Sequence, residues 1–210
     1  MKDHKDANDI LHFHVLWWGA LLMILWSRLQ NIPALYESVL LDSDTPSAIV
    51  NQKFGRIKLY ILKLIRGILA NSDGITEDYL RNGFAQDQVY TLINSVDTEI
   101  FHPSGSQEEK QHLRYKYALP EDATLLIFTG SMKNRKGVDI LLQSFIDAHQ
   151  QFTDLYLVLV GPKTTQENPS LDETFIRNIQ KCIDENCLND RVMFTGLIKD
   201  RVTIAELYRA

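Results

Sequence analysis

Cysteine occurs only twice in the 210 residues, as Cys182 and Cys187. The residues between them, Ile-Asp-Glu-Asn, give neither a C-x-x-C redox pair nor a zinc-ligand spacing, so both read as reduced packing thiols. No apolar run reaches bilayer length: the greasiest stretch, Val15 to Trp26, is about a dozen residues against the roughly 20 that a spanning helix needs. A buried helix is the direct reading of it, and a helix lying at a membrane surface the alternative. The start, MKDHKDANDI, lacks the apolar region of a secretion signal, which makes a reducing cytoplasm the expected compartment. A basic surplus is missing too. With a formal net charge of −5 and a pI near 5.7, the chain has no concentrated field for a nucleic acid, and a phosphate-bearing partner would be small. No G-x-G-x-x-G follows any predicted strand, which sets aside a dinucleotide-dependent oxidoreductase. Internal repeats and low-complexity tracts are absent.

What is present is organised around Thr124 to Leu142, TLLIFTGSMKNRKGVDILL. Thr124 to Thr129 reads as a buried strand, and Val138, Ile140, Leu141, Leu142 and Phe145 recur at helical spacing. Between them, Gly130 allows a sharp turn, and the following helix offers unpaired N–H groups and a positive dipole end beside Lys133, Arg135 and Lys136. Such a place can hold an anion, most simply a phosphate; a plain βα turn with solvated basic residues reads equally well from these residues alone. The order of Gly130, Lys136 and Gly137 is not that of a Walker loop.

Along the rest of the chain, strands and helices alternate. Asp9 to Phe13 reads as a strand, Trp17 to Leu29 as a helix apolar almost all round and hence buried on more than one side, and Pro33 to Glu37 as the next strand. After a polar loop at Asp42 to Ser47, a helix runs over Ile57 to Ile65, studded with Lys53, Arg56, Lys58, Lys63 and Arg66. These form a solvated face, or else a contact for anionic lipid or an acidic acceptor. Gly67 to Ala70 is a strand, Ser72 the N-cap of a helix to Asn82 that Gly83 ends, and Gln88 to Ile93 a further strand. That alternation predicts a parallel sheet with helices on both faces. Asn94 to Ser106, with Pro103, reads as the crossing to a second unit, giving domains at 1–103 and 104–210. In the second unit the expected elements are helix 107–117, strand 124–129, helix 137–149, strand 155–160, helix 171–186, strand 191–195 and a helix from about Thr203. Each unit is short of the five or six strands usual for such sheets, and no helix stop precedes Ala210, so the chain reads as a piece cut at both ends.

Several segments together resemble the retaining, nucleotide-sugar-dependent glycosyltransferases of the GT-B fold, the glycosyl transferases of group 1 that include glycogen synthase and the phosphatidylinositol mannosyltransferases. Asp9-Ile-Leu-His-Phe-His14 is similar to their "D-h-h-H-x-H" strand, and Asn94 to Pro103 to their "N-G-V-D-x-x-x-F-x-P" crossing, with Ser95 for glycine. Gly130 to Gly137, followed by Asp139 and two leucines, resembles the "G-R-x-x-x-x-K-G-x-D-x-L-L" donor loop. Leu157 to Gly161 and Val192 to Gly196 resemble the next two strands, and Leu207, Tyr208 and Ala210 the start of the "L-x-x-x-Y-x-x-A" helix.

The resemblance implies two Rossmann-like domains of GT-B type, both incomplete here, and an enzyme of hexosyltransferase type. A sugar would pass from a nucleotide-diphospho-sugar, such as a UDP-sugar, to a glycan, lipid or small-molecule acceptor, with retention, no cofactor and no metal. Without a cation, the charge on the departing diphosphate must be met by protein cations and helix-end N–H groups. Lys136 falls on the family's phosphate lysine. Ser131 stands where its arginine is usual, so Arg135 would supply the second charge. Gly161 would allow close approach of the donor, or be a plain turn, and the backbone at Leu197 and Ile198 would lie near the base. Two glutamates that grip the donor would lie beyond Ala210, and the glycine-rich loop that usually opens such proteins is absent. A histidine expected after the second strand is replaced in Tyr36-Glu-Ser-Val-Leu40. On the acceptor side, His12, His14 and Glu37 are the candidates, the histidines sharing one strand face as cleft-wall or contacting residues. No catalytic residue is assigned. The alternative is a non-catalytic sugar- or partner-binding module that keeps the fold.

Overall fold

The computed structural model describes residues 9–41 and 43–210. Residues 1–8, over which no secretion signal is expected, and Asp42 in the first polar loop lie outside the described residues. Contacts divide the chain into two compact units, residues 1–95 and 96–210. The division falls inside the expected crossing but eight residues before position 103. The reason is that the crossing is anchored in the second unit: Phe101 packs edge-on to Tyr208, Arg209 bonds to His102, and Asp97 faces Arg201 at 3.9 Å.

The first unit is a four-stranded, all-parallel sheet in the order β1 (Leu11–Phe13), β2 (Ala34–Ser38), β3 (Gly67–Ala70), β4 (Val89–Thr91). Its helices are α1 (Trp18–Gln30), α2 (Pro46–Ile49), α3 (Gly55–Leu62) and α4 (Asp73–Arg81). Ser72 caps α4 by accepting from the Ile75 N–H, as its residue type predicts. The short helix α2 sits in what reads as a polar loop, and Pro46 at its first position is the signal for it.

Among the described residues, helices cover only one face of this sheet. Leu21 and Ile24 of α1, Ile49, Leu62, Ile75 and Tyr79 all join one cluster with Ala34, Tyr36, Ile68, Ala70 and Val89. Each strand is placed beside the one before it in the same direction, and right-handed crossovers then put every connecting helix on the same side. With one side to pack against, α1 cannot be buried all round either. Ala20, Leu21, Ile24 and Ser27 face inward, while Trp17, Leu22 and Leu29 are 67, 66 and 81% exposed. The basic residues spread beyond α3: Lys53 precedes it, and Lys63 and Arg66 follow its end. No helix among the described residues is long and apolar enough to cross a membrane.

The second unit has a three-stranded parallel sheet, β5 (Thr124–Thr129), β6 (Leu155–Val160) and β7 (Val192–Gly196), in that order. Here both faces are covered. Leu155, Leu157 and Leu159 point toward α6 (Val138–His149) and α7 (Glu173–Glu185). The alternate residues Val158 and Val160 point toward α5 (Gln107–Lys116) and α8 (Arg201–Arg209). Burying each such side chain is worth about 1.5–3 kcal/mol, which makes β6 the centre of the unit. β5, expected to be buried, is an edge strand of the described sheet with Leu126 exposed. Burial depends on neighbours, not on the run's own apolar content.

Two polar details hold the unit together. Asp200 caps α8 through the Val202 and Thr203 N–H groups, two residues ahead of the expected start. Arg114 is buried and donates to the main-chain oxygen of Ala210 and to the carbonyl oxygens of Pro120, Glu121 and Ala123, so main-chain oxygens surround its charge. Cys182 packs partly against the core, whereas Cys187 is exposed in a left-handed turn after α7 and is no packing thiol.

Candidate functional site

At the carboxyl ends of β5, β6 and β7 stand Gly130, Gly161 and Gly196. The Gly130 N–H donates to Val160 O at 2.9 Å, and the Gly161 N–H to Gly196 O at 3.0 Å, so the three strand ends are laced by backbone. Gly161 has φ 149°, and a Cβ on it would lie 1.9 Å from Gly130 O. Only glycine fits there. The requirement at Gly161 is thus met by the neighbouring strand end.

From Gly130 the chain runs through Ser131 and the buried Met132 into one 3₁₀ turn, Asn134–Lys136, and then Gly137 at φ 68° opens α6. Gly137 has no side chain to cap the helix, so the first N–H groups of α6, at Val138, Asp139 and Ile140, have no partner among the described residues. Arg135 and Lys136 are exposed just before them and have no ion-pair partner among the described residues. Lys133 is engaged elsewhere, its Nζ 2.6 Å from Ser170 Oγ. The turn can therefore present two cations and a helix dipole to an anion.

A strap after β6 crosses these strand ends. Glu167 accepts hydrogen bonds from the N–H groups of Leu197 (3.0 Å), Lys163 (2.7 Å) and Thr164 (3.0 Å). Those backbone donors, Leu197 foremost, hold its carboxyl down at about 2. Asn168 Nδ2 lies 3.5 Å from Ser131 Oγ, and Lys163 Nζ sits 4.2 Å over the Phe194 ring. Of the two backbone groups expected at a base, the Leu197 N–H is already taken by Glu167, and that of Ile198 has no partner among the described residues. Sequence reasoning missed Glu167, although Thr164-Thr-Gln-Glu167 is a capping-box pattern and closes as one.

Ser131, Arg135, Lys136, Gly161, Leu197 and Ile198 thus lie on the loops at one end of the second sheet. His12, His14 and Glu37 lie together in the first. His14 Nδ1 is 2.8 Å and His12 Nε2 3.5 Å from Glu37 Oε2.

Two parallel α/β units, one carrying a cationic turn at a strand end, define a fold of the GT-B type. Residues 109–210 match the family described as glycosyl transferases group 1. The D-inositol 3-phosphate glycosyltransferase 1 of Catenulispora acidiphila is 26% identical over 146 residues, covering 65% of this chain and 33% of that protein. Glycogen synthase of Haemophilus influenzae is 29% identical over 113 residues, covering 45% of this chain and 24% of that protein. Among solved structures, Anabaena Alr3699/HepE in complex with UDP superposes with a TM-score of 0.72 at 15% identity, over 95% of this chain and 50% of that one. A glycosyltransferase from Rickettsia africae gives 0.66 at 18% identity, over 96% and 49%. The chain spans a third or less of these curated relatives and about half of the solved chains.

Proposed function

We propose that this chain is part of a hexosyltransferase that moves a sugar from a nucleoside diphosphate donor to an acceptor with retention of configuration, using no cofactor and no metal at the transfer centre. The observation that carries this is the Gly130–Val138 turn, where Arg135 and Lys136, without an ion-pair partner among the described residues, stand beside the uncapped start of α6. A leaving diphosphate gathers negative charge, and preorganised cations and N–H dipoles lower the energy of that charge as it forms. Lys136 and Arg135 bind the phosphates, Ser131 and Gly161 line the approach, and Leu197 and Ile198 flank the base. The HepE structure contains UDP, which makes UDP the donor nucleotide to try first.

On the first unit, Lys58 lies over the Trp18 ring, Lys53 over Phe54, and Trp18 meets Phe54 edge-on at 5.9 Å. This exposed aromatic and cationic surface supports peripheral contact with an anionic cytoplasmic membrane, and among glycan, lipid and small-molecule acceptors it favours a lipid-borne one.

Calorimetric titration of the whole protein with UDP tests the donor site. Lys136→Ala is expected to weaken binding by about one to two orders of magnitude, since a charge-assisted phosphate contact is worth roughly 1.5–3 kcal/mol. Equal affinity for both proteins removes Lys136 from the site. A second reading, a non-catalytic binding module, is favoured by Ser131, whose hydroxyl faces Asn168 where the family carries a cation. It predicts UDP binding without sugar transfer.

A further inference from the structure

The face of the first sheet opposite its helices carries a group of side chains that the donor chemistry does not use. His12 on β1 and His14, the first residue past its end, are two apart along the extended chain, and their rings come together on one side. The register sets His12 beside Leu35 and Phe13 beside Tyr36, so Glu37 on β2 comes level with His14. Both imidazoles turn a nitrogen to the same oxygen, Glu37 Oε2, at 3.5 and 2.8 Å, and their ring centroids are 4.3 Å apart. The three ligand atoms lie within 4.8 Å of one another. Four ligands at about 2.0–2.1 Å around a tetrahedral ion are spaced about 3.4 Å apart, which falls inside this range. Among the described residues, neither imidazole has another hydrogen-bonding partner, and the second carboxylate oxygen of Glu37 has none.

We propose that His12, His14 and Glu37 form a binding site for a divalent transition metal, of the two-histidine, one-carboxylate type. Imidazole with carboxylate suits Zn²⁺, and the softer thiolate ligands of a closed structural site are missing. The histidine side chains are 38 and 64% exposed, so the remaining coordination positions open to solvent. They do so where β1 and β2 end, the edge at which parallel sheets bind their ligands. The site is independent of the phosphate turn in the second unit, so the donor reading stands whether or not metal binds here.

The test uses the full 210-residue chain, stripped with a chelator and titrated with Zn²⁺ by calorimetry and with Co²⁺ by visible absorption. One Zn²⁺ per chain is expected, with a Co²⁺ d–d band of low coordination number. Glu37→Gln and His14→Gln are each expected to weaken Zn²⁺ binding by at least about tenfold, and His12→Ala with His14→Ala to abolish the Co²⁺ band. Cys182→Ser with Cys187→Ser should leave both signals intact. As a check on folding, Zn²⁺ should raise the melting temperature of the native chain but not of Glu37→Gln, the two melting alike without metal. Absence of binding, affinity unchanged in the double-histidine variant, or loss of binding in the double-cysteine variant would overturn the site.

Discussion

The two sheets end differently. In the second unit the strand ends are glycines, and what they present is backbone: N–H groups, a bare helix start, and a loop laid across them by Glu167. In the first unit the strand ends carry side chains, with two imidazoles and a carboxylate converging on one point. Backbone donors suit an oxyanion of any attached group, whereas imidazoles and carboxylates suit a cation or a protonated hydroxyl. One scaffold thus offers opposite electrostatic preferences at equivalent places, and the difference comes from whether the strand-end residues have a Cβ at all.

The sharpest way to break this contrast is to put a side chain where the second sheet tolerates none. Gly161→Ala would push a methyl into Gly130 O at a backbone angle that alanine avoids, and it is expected to lower stability by about 3 kcal/mol or more. Thermal unfolding of the chain checks this; a variant as stable as the native chain would show the strand ends to be loosely held. A smaller effect is expected on the first unit's surface. The combined change Trp18→Ala and Lys58→Glu should cut sedimentation with anionic vesicles by about tenfold at low salt, and native sedimentation should itself fall as salt is raised. Native protein that does not sediment would remove the membrane contact.

The smallest effect is a pH dependence. The Glu167 carboxyl sits at about 2 when folded, below its ordinary 4.5, so its contribution is fully present above about pH 4.5 and is lost as the pH falls toward 2. Glu167→Gln should therefore narrow the gap in melting temperature from the native chain across that window, and parallel curves would mean the strap is not held by charge.

The alternation of strands and helices, the cap at Ser72 and the loop from Gly130 to Gly137 were legible because each rests on local chemistry: period, a capping hydroxyl, a glycine at positive φ. The exposure of β5 and of the outer face of α1 was not, because burial is decided by which elements arrive alongside. Helices on one side of the first sheet follow from strand order, which periodicity does not contain. His12 and His14 were readable as a shared face, yet their meeting with Glu37 depends on the register of β1 against β2. Glu167 reaches Leu197 from 30 residues away, a distance over which a loop leaves no pattern.

The crowding of Gly161 against Gly130 has an evolutionary corollary. Because that junction admits no substitution, whatever this end of the second sheet accepts cannot be retuned there. Variation has to be carried by the strap from Lys163 to Asp172, whose residues can change while the platform beneath them stays fixed.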